Sequence, residues 1–203
     1  TTTGDDGSAA LPFGPFDPAR DRTFELALRA FVTAQTGFRL GFVEQLYTFG
    51  DLGRASPRAT PGPEHHREVS VGYLALTADA ADAPAADARW TPLLDVFPWE
   101  DRRDGAAACQ TALLGGLRNW STGDPRRAAR VEALFAAAPG HRWNEGRVLE
   151  RYELLYEAGL VAEAARDQDK PVPAHAPGLP MASVHRRILA TGLGRLRSKL
   201  KYR

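Results

Sequence analysis

The sequence predicts an α+β chain on three observations: an amphipathic helix near the start, two β-rich runs after it, and helical periodicity alone beyond Pro98. Thr1–Ala10 is a Gly/Asp/Ser/Thr stretch and reads as a loop or disordered end. In Leu11–Pro18 (LPFGPFDP) the prolines and the glycine forbid a helix. Asp21 or Thr23 is placed to N-cap a helix over Phe24–Thr36, which sets Phe24, Leu28, Phe31 and Val32 on one face, and Gly37 ends it. Val43–Phe49 and Glu68–Thr77 are rich in Val, Tyr, Leu and Phe and read as strands around a Gly/Pro/Arg/His loop, Asp51–His66. Ala78–Ala88 is a second polar loop. Arg89–Val96 reads as a further strand, ending at Pro98.

Beyond Pro98, Ala106–Trp120, Pro125–Ala138 and Glu145–Arg166 each space their apolar residues as helices do, with Pro125 near one start and Gly140 after one end. The third is the clearest: Val148, Leu149, Tyr152, Leu155, Tyr156, Leu160 and Val161 form a stripe. Its spacing predicts burial of Leu149, Tyr152, Leu155 and Tyr156. Asp167–Pro180 is a Pro/Ala-rich linker. Met181–Tyr202 is a long helix with Ile188, Leu189, Leu193, Leu196 and Leu200 on one side.

Composition narrows the function classes. Hydrophobic content of 43% and charged content of 25% are those of a soluble globular protein. A net charge of +1 gives no overall basic field for nucleic acid. The single Cys109 forms no internal disulfide, which suits a reducing cytoplasm. No apolar run approaches the roughly 18–20 residues of a membrane span, and Thr1–Ala9 lacks the order of a signal peptide. The expected location is therefore cytoplasmic. The missing initiator Met points to a start inside a longer protein.

Glu44–Asp51 (EQLYTFGD) and Arg67–Leu76 (REVSVGYLAL) resemble the paired strands of the Nudix-related transcriptional regulators, the NrtR family. His185–Tyr202 (HRRILATGLGRLRSKLKY) resembles the final Nudix helix of the same proteins. Trp143–Leu160 (WNEGRVLERYELLYEAGL) is similar to an insertion in a subgroup described as NAD regulators. The resemblance implies a Nudix-like α/β/α sandwich in residues 1–98, completed by 181–203, with an all-helical insertion and linker at 99–180. It also implies a C-terminal winged helix for operator DNA, which would begin beyond Arg203. The implied function is sensing of an NAD-related nucleotide such as ADP-ribose, in a transcription factor acting as a homodimer.

A working Nudix enzyme carries G-x5-E-x7-R-E-U-x-E-E-x-G-U, with U a bulky apolar residue. Magnesium wants oxygen ligands, and glutamates about one turn apart on a helix present several carboxylates to it. The metal then activates water and neutralises pyrophosphate charge. Anchored on Gly37 and Phe38, the pattern places its first glutamate on Arg22, its Arg on Ala30 and the next Glu on Phe31. The paired metal-binding glutamates fall on Ala34 and Gln35. Alanine supplies no ligand, glutamine a weak neutral one, and Arg22 repels the ion. No catalytic residue, metal site or cofactor is therefore expected.

The ligand-binding candidates are Glu44, Gln45, Tyr47, Arg54, Arg67, Ser70 and Tyr73, on or beside the two family-like strands. An aromatic ring stacks on a base, and an Arg offers a planar fork to pyrophosphate oxygens. Each also has an ordinary reading, as a core strand residue or a solvated loop arginine, so the group carries the expectation. Arg195, Arg197, Lys199 and Lys201 lie on a basic face of the last helix and are the DNA-proximal candidates, set against a solvated amphipathic face. His65-His66 with Glu64 lacks zinc-ligand spacing and reads as a loop. Glu100, Asp101 and Asp104 read as a helix-entry surface, and Trp99 and Trp120 as core or interface aromatics. Two rivals stand beside the sensor: a divergent hydrolase using Glu25 or Glu44, and an interaction scaffold.

Overall fold

The computed structural model describes residues 1–4, 7–50, 69–77, 88–182 and 184–199, as a mixed α/β chain with two small sheets. It divides into two compact units, Thr1–Pro92 with Met181–His185, and Leu93–Pro180 with Arg186–Arg203. The first unit runs to Pro92, and from Arg186 onward the last helix groups with the helical unit.

In the first unit, the opening stretch is not an irregular end. Thr2–Thr3 (β1) and Ala9–Ala10 (β2) pair antiparallel, in the register Thr2↔Ala10 and Thr3↔Ala9. Gly7 turns the chain between them at φ +78°, a conformation open to glycine at little cost. Ala9 bridges Met181 in parallel, and the Ala182 N–H donates to the Ala9 carbonyl. Helix α1 spans Phe24–Thr36; the Thr23 hydroxyl accepts from Leu26 N–H at its start, and Gly37 closes it in the left-handed region. Its buried residues are Ala27 and Val32. Strands β3 (Phe42–Phe49) and β4 (Ser70–Leu76) form an antiparallel two-stranded sheet.

The second unit is helical. The expected strand Arg89–Val96 contains instead a short helix, α2 (Leu93–Val96). Pro92 sits just ahead of it, a place where a fixed φ favours a helical start over a strand. A 3-10 turn, Pro98–Glu100, follows, then α3 (Gln110–Ser121) and α4 (Pro125–Phe135). Asp124 caps α4 by accepting from the Arg126 and Arg127 N–H groups, with Pro125 in the first turn. The single helix expected over Glu145–Arg166 is two, α5 (Val148–Glu157) and α6 (Ala162–Asp167), because Gly159 takes φ +71° between them. Helix α7 runs His185–Ser198.

The core of this unit holds Phe97, Trp99, Leu117, Phe135, Leu154 and Leu155, all essentially inaccessible. Tyr152 and Leu155 are buried as expected, but Leu149 and Tyr156 are only half-buried. The buried positions of α5 are Val148, Arg151, Tyr152, Leu154 and Leu155, so the inward stripe is rotated from the predicted one and carries a charge. No described helix is long and apolar enough to cross a membrane.

Candidate functional site

The β3–β4 hairpin carries the predicted ligand-binding residues, and its register separates them. Gln45 pairs with Tyr73 and Tyr47 with Gly72, so a bulge at Leu46 places two β3 steps against one β4 step. Because side chains alternate along β4, Gln45 and Tyr73 share one face, while Glu44, Tyr47 and Ser70 share the other. Tyr47 is 61% exposed and meets Phe49 edge-on, with ring centroids 5.3 Å apart. Glu44 and Ser70 are half-buried and Gln45 is exposed. Burial raises the pKa of the half-buried Tyr73 hydroxyl, and the Glu25 carboxylate on α1 adds to that shift. Arg54 and Arg67 lie outside the described residues, as do Glu64, His65 and His66.

Helix α1 commits its polar side chains to local backbone and ion-pair contacts. Gln35 accepts from the Phe13 N–H at 3.2 Å and donates to the Phe13 carbonyl at 2.5 Å, holding the backbone of one residue through both of its polar groups. A neutral amide does this; a carboxylate has no donor for the second bond. Phe31 lies over Gly14, where an added Cβ would come 2.6 Å from the ring. Glu25 is paired with Arg29 at 2.9 Å, and Arg29 also donates to the Leu40 and Gly41 carbonyls. Among the described residues, no three His, Cys, Asp or Glu side chains gather where they could hold a metal ion.

The helical unit buries its charge in pairs. Glu100, read from sequence as part of a surface cluster, is wholly buried. Arg151, equally buried, donates to it from Nε at 2.6 Å and Nη2 at 2.9 Å, and its guanidinium stacks 3.9 Å from the Trp143 ring centroid. Arg186 contacts Glu163 at 3.0 Å and donates to the carbonyls of Val96, Pro177 and Leu179. Such forks satisfy several acceptors at once, which is what permits a guanidinium in a core. Sequence reading placed none of these four residues in the core. The available signal was Arg151 itself, standing at helical spacing between Val148 and Leu155.

The DNA-proximal set fares unevenly. Arg197 is turned inward, donating from Nη1 to the Glu100 carboxylate at 2.5 Å and to the Glu145 carbonyl at 3.3 Å. Sequence reading set Arg197 on a basic face; here its guanidinium is drawn toward a buried carboxylate. Arg195 and Lys199 are half-buried, and Lys201 lies outside the described residues. Between α4 and α5 is an open groove of about 410 Å³, floored by Ala129, Ala133, Leu134 and Leu149 and edged by Arg130, Arg147, Glu150 and Glu153. Arg147 is paired with Glu150, and Arg130 with Glu157, so this edge presents balanced charge. No protein-family model matches the chain, and no curated protein matches it.

Proposed function

We propose that the chain is the ligand-sensing part of a Nudix-related transcriptional regulator, with a Nudix-like sandwich that binds an NAD-related nucleotide without hydrolysing it. The observation that carries this reading is Gln35, which stands where the metal-binding pattern requires a carboxylate and is committed to the N–H and the carbonyl of Phe13. Ala34 beside it has no oxygen to offer. Binding without metal leaves pyrophosphate charge to arginine, and Arg54 and Arg67 are the candidates in this reading. Tyr47, exposed beside Glu44 and Ser70, is the stacking candidate. Operator DNA would be engaged by a winged helix beyond residue 203, in a homodimer whose paired domains respond to the ligand.

The experiment is calorimetric titration of ADP-ribose, NAD and ATP into the wild type and into Tyr47→Ala, Arg54→Ala and Arg67→Ala, together with a magnesium-dependent hydrolysis assay. An Arg–phosphate contact partly shielded from water is worth roughly 1.5–3 kcal/mol, so the correct arginine change weakens binding about ten- to a hundredfold. Binding unaffected by all three variants would move the site off this hairpin. Metal-dependent turnover abolished by substituting Glu25 or Glu44 would favour the divergent hydrolase. Absence of nucleotide binding even at millimolar concentration would favour the interaction scaffold, which the open α4–α5 groove supports.

A further inference from the structure

We propose that Arg197 and Glu100 form a releasable latch that seats the C-terminal end of α7. Two guanidiniums share the Glu100 carboxylate, and they are not equivalent. Arg151 engages both of its oxygens and has no exposed side-chain surface. Arg197 adds a bond to Oε2, an oxygen Arg151 already holds, and its side chain is 20% exposed.

The asymmetry decides what each contact costs to break. Withdrawing Arg151 takes the innermost countercharge from a carboxylate far from water, which is the costly event in a buried pair. Withdrawing Arg197 leaves Glu100 neutralised and bidentately bonded, and carries a partly exposed guanidinium into solvent. The closed pair is itself little screened, but the released guanidinium meets water and counter-ions, so added salt favours the open state. Glu100 is thus the fixed half of the latch and Arg197 the movable half.

The same contact governs a close approach. One turn before Arg197, Gly194 lies so near the Gly146 carbonyl that an added Cβ would stand 3.2 Å from that oxygen. Arg197 also donates to the neighbouring Glu145 carbonyl and to the Glu100 carbonyl. Arg197 thus ties the end of α7 both to Glu100 and to the 144–147 turn. At the other end of the helix, Arg186 is wholly buried with its own set of acceptors and stays fixed. Opening of the latch frees the last turns of α7 while α5 and the start of α7 keep their packing.

The test is hydrogen exchange on the full chain, at low salt and at roughly 0.5 M sodium chloride, where the screening length falls to only a few ångströms. The latch requires exchange over Leu193–Ser198 to quicken with salt while Val148–Leu155 stays constant. Arg197→Ala should exchange about three- to fivefold faster over Leu193–Ser198 at low salt, lose the salt response there, and keep a near-wild-type unfolding midpoint. Arg151→Met should lower that midpoint markedly. An Arg197→Ala protein that fails to fold, that exchanges no faster over Leu193–Ser198, or that loosens Val148–Leu155 equally would overturn the proposal.

Discussion

Arg151 spreads its guanidinium between Glu100 and the main chain: Nε and Nη2 take the two carboxylate oxygens, while Nη1 donates to the Asn144 carbonyl at 2.8 Å. The arrangement joins α5, the 3-10 turn and the 144–147 turn through one side chain.

Arg151→Met therefore removes more than a charge pair. Glu100 keeps only Arg197, the Asn144 carbonyl keeps the Arg147 N–H but loses its shorter hydrogen bond, and the Trp143 ring loses the nearer of its two cations, leaving Arg102. The expected loss is about 3–5 kcal/mol, read as a lower urea midpoint at similar slope. Pairing it with Glu100→Leu should cost clearly less than the two single losses added together, because no buried charge is then left with half its partners.

Gly178 has φ +79°, and a Cβ added there would stand 2.4 Å from the Val96 carbonyl oxygen. Backbone cannot give way as a side-chain tip can. Gly178→Ala should destabilise by about 2–3 kcal/mol, combining strain with displacement of the Arg186 acceptors nearby. Gly116→Ala is the control: the conflict is with Leu160 Cδ2, the end of a movable side chain, so its unfolding temperature should fall less.

Introducing a carboxylate at position 35 of α1 should not create a metal site. Gln35→Glu loses the donor to the Phe13 carbonyl and sets a negative charge beside that oxygen. We expect a loss of about 0.5–1.5 kcal/mol in thermal unfolding, unrelieved by magnesium, and no turnover of ADP-ribose. Magnesium-dependent stabilisation of this variant would count against the account of α1.

Hydrogen bonds from Arg103 hold the Asp101 carboxyl at a pKa of about 2, with their mutual attraction adding to the effect. The folded value lies below the unfolded one, so the contribution is complete above the ordinary carboxylate range near pH 4 and fades as pH falls through about 2. An NMR titration of the Asp101 carboxyl should show that low midpoint. Arg103→Ala should raise it toward the ordinary carboxylate range but not fully to it, because the backbone N–H of residue 103 still donates to the carboxylate.

The parts of the fold that were legible in the sequence are those where one local rule acts alone. Thr23 and Gly37 bracket α1, and β-branched and aromatic runs mark β3 and β4, within a residue or two. What was not legible is where burial recruits charge. On α7 the buried positions are His185, Arg186, Ala190, Gly192 and Leu193, with Arg197 next in the line of Arg186, Ala190 and Leu193. The leucine count pointed instead to a stripe through Ile188, Leu189, Leu193, Leu196 and Leu200, of which Leu193 is buried but Ile188, Leu189 and Leu196 are only half-buried. An arginine reads as surface until its carboxylate is known, and Glu100 and Glu163 lie 51 and 23 residues from their partners. The candidate site was legible as a pair of strands but not as a face.

The bulge at Leu46 explains that last failure, and it bears on how any relative should be aligned. An extra residue opposite a single β4 position reverses the odd–even rule that assigns side chains to faces, so Gln45 and Tyr47 diverge although they are two apart. A protein lacking one residue here could keep both faces intact, with its flanking positions simply renumbered. Such a gap would be silent in space, whereas a gap anywhere else along Phe42–Phe49 would turn half the strand inside out.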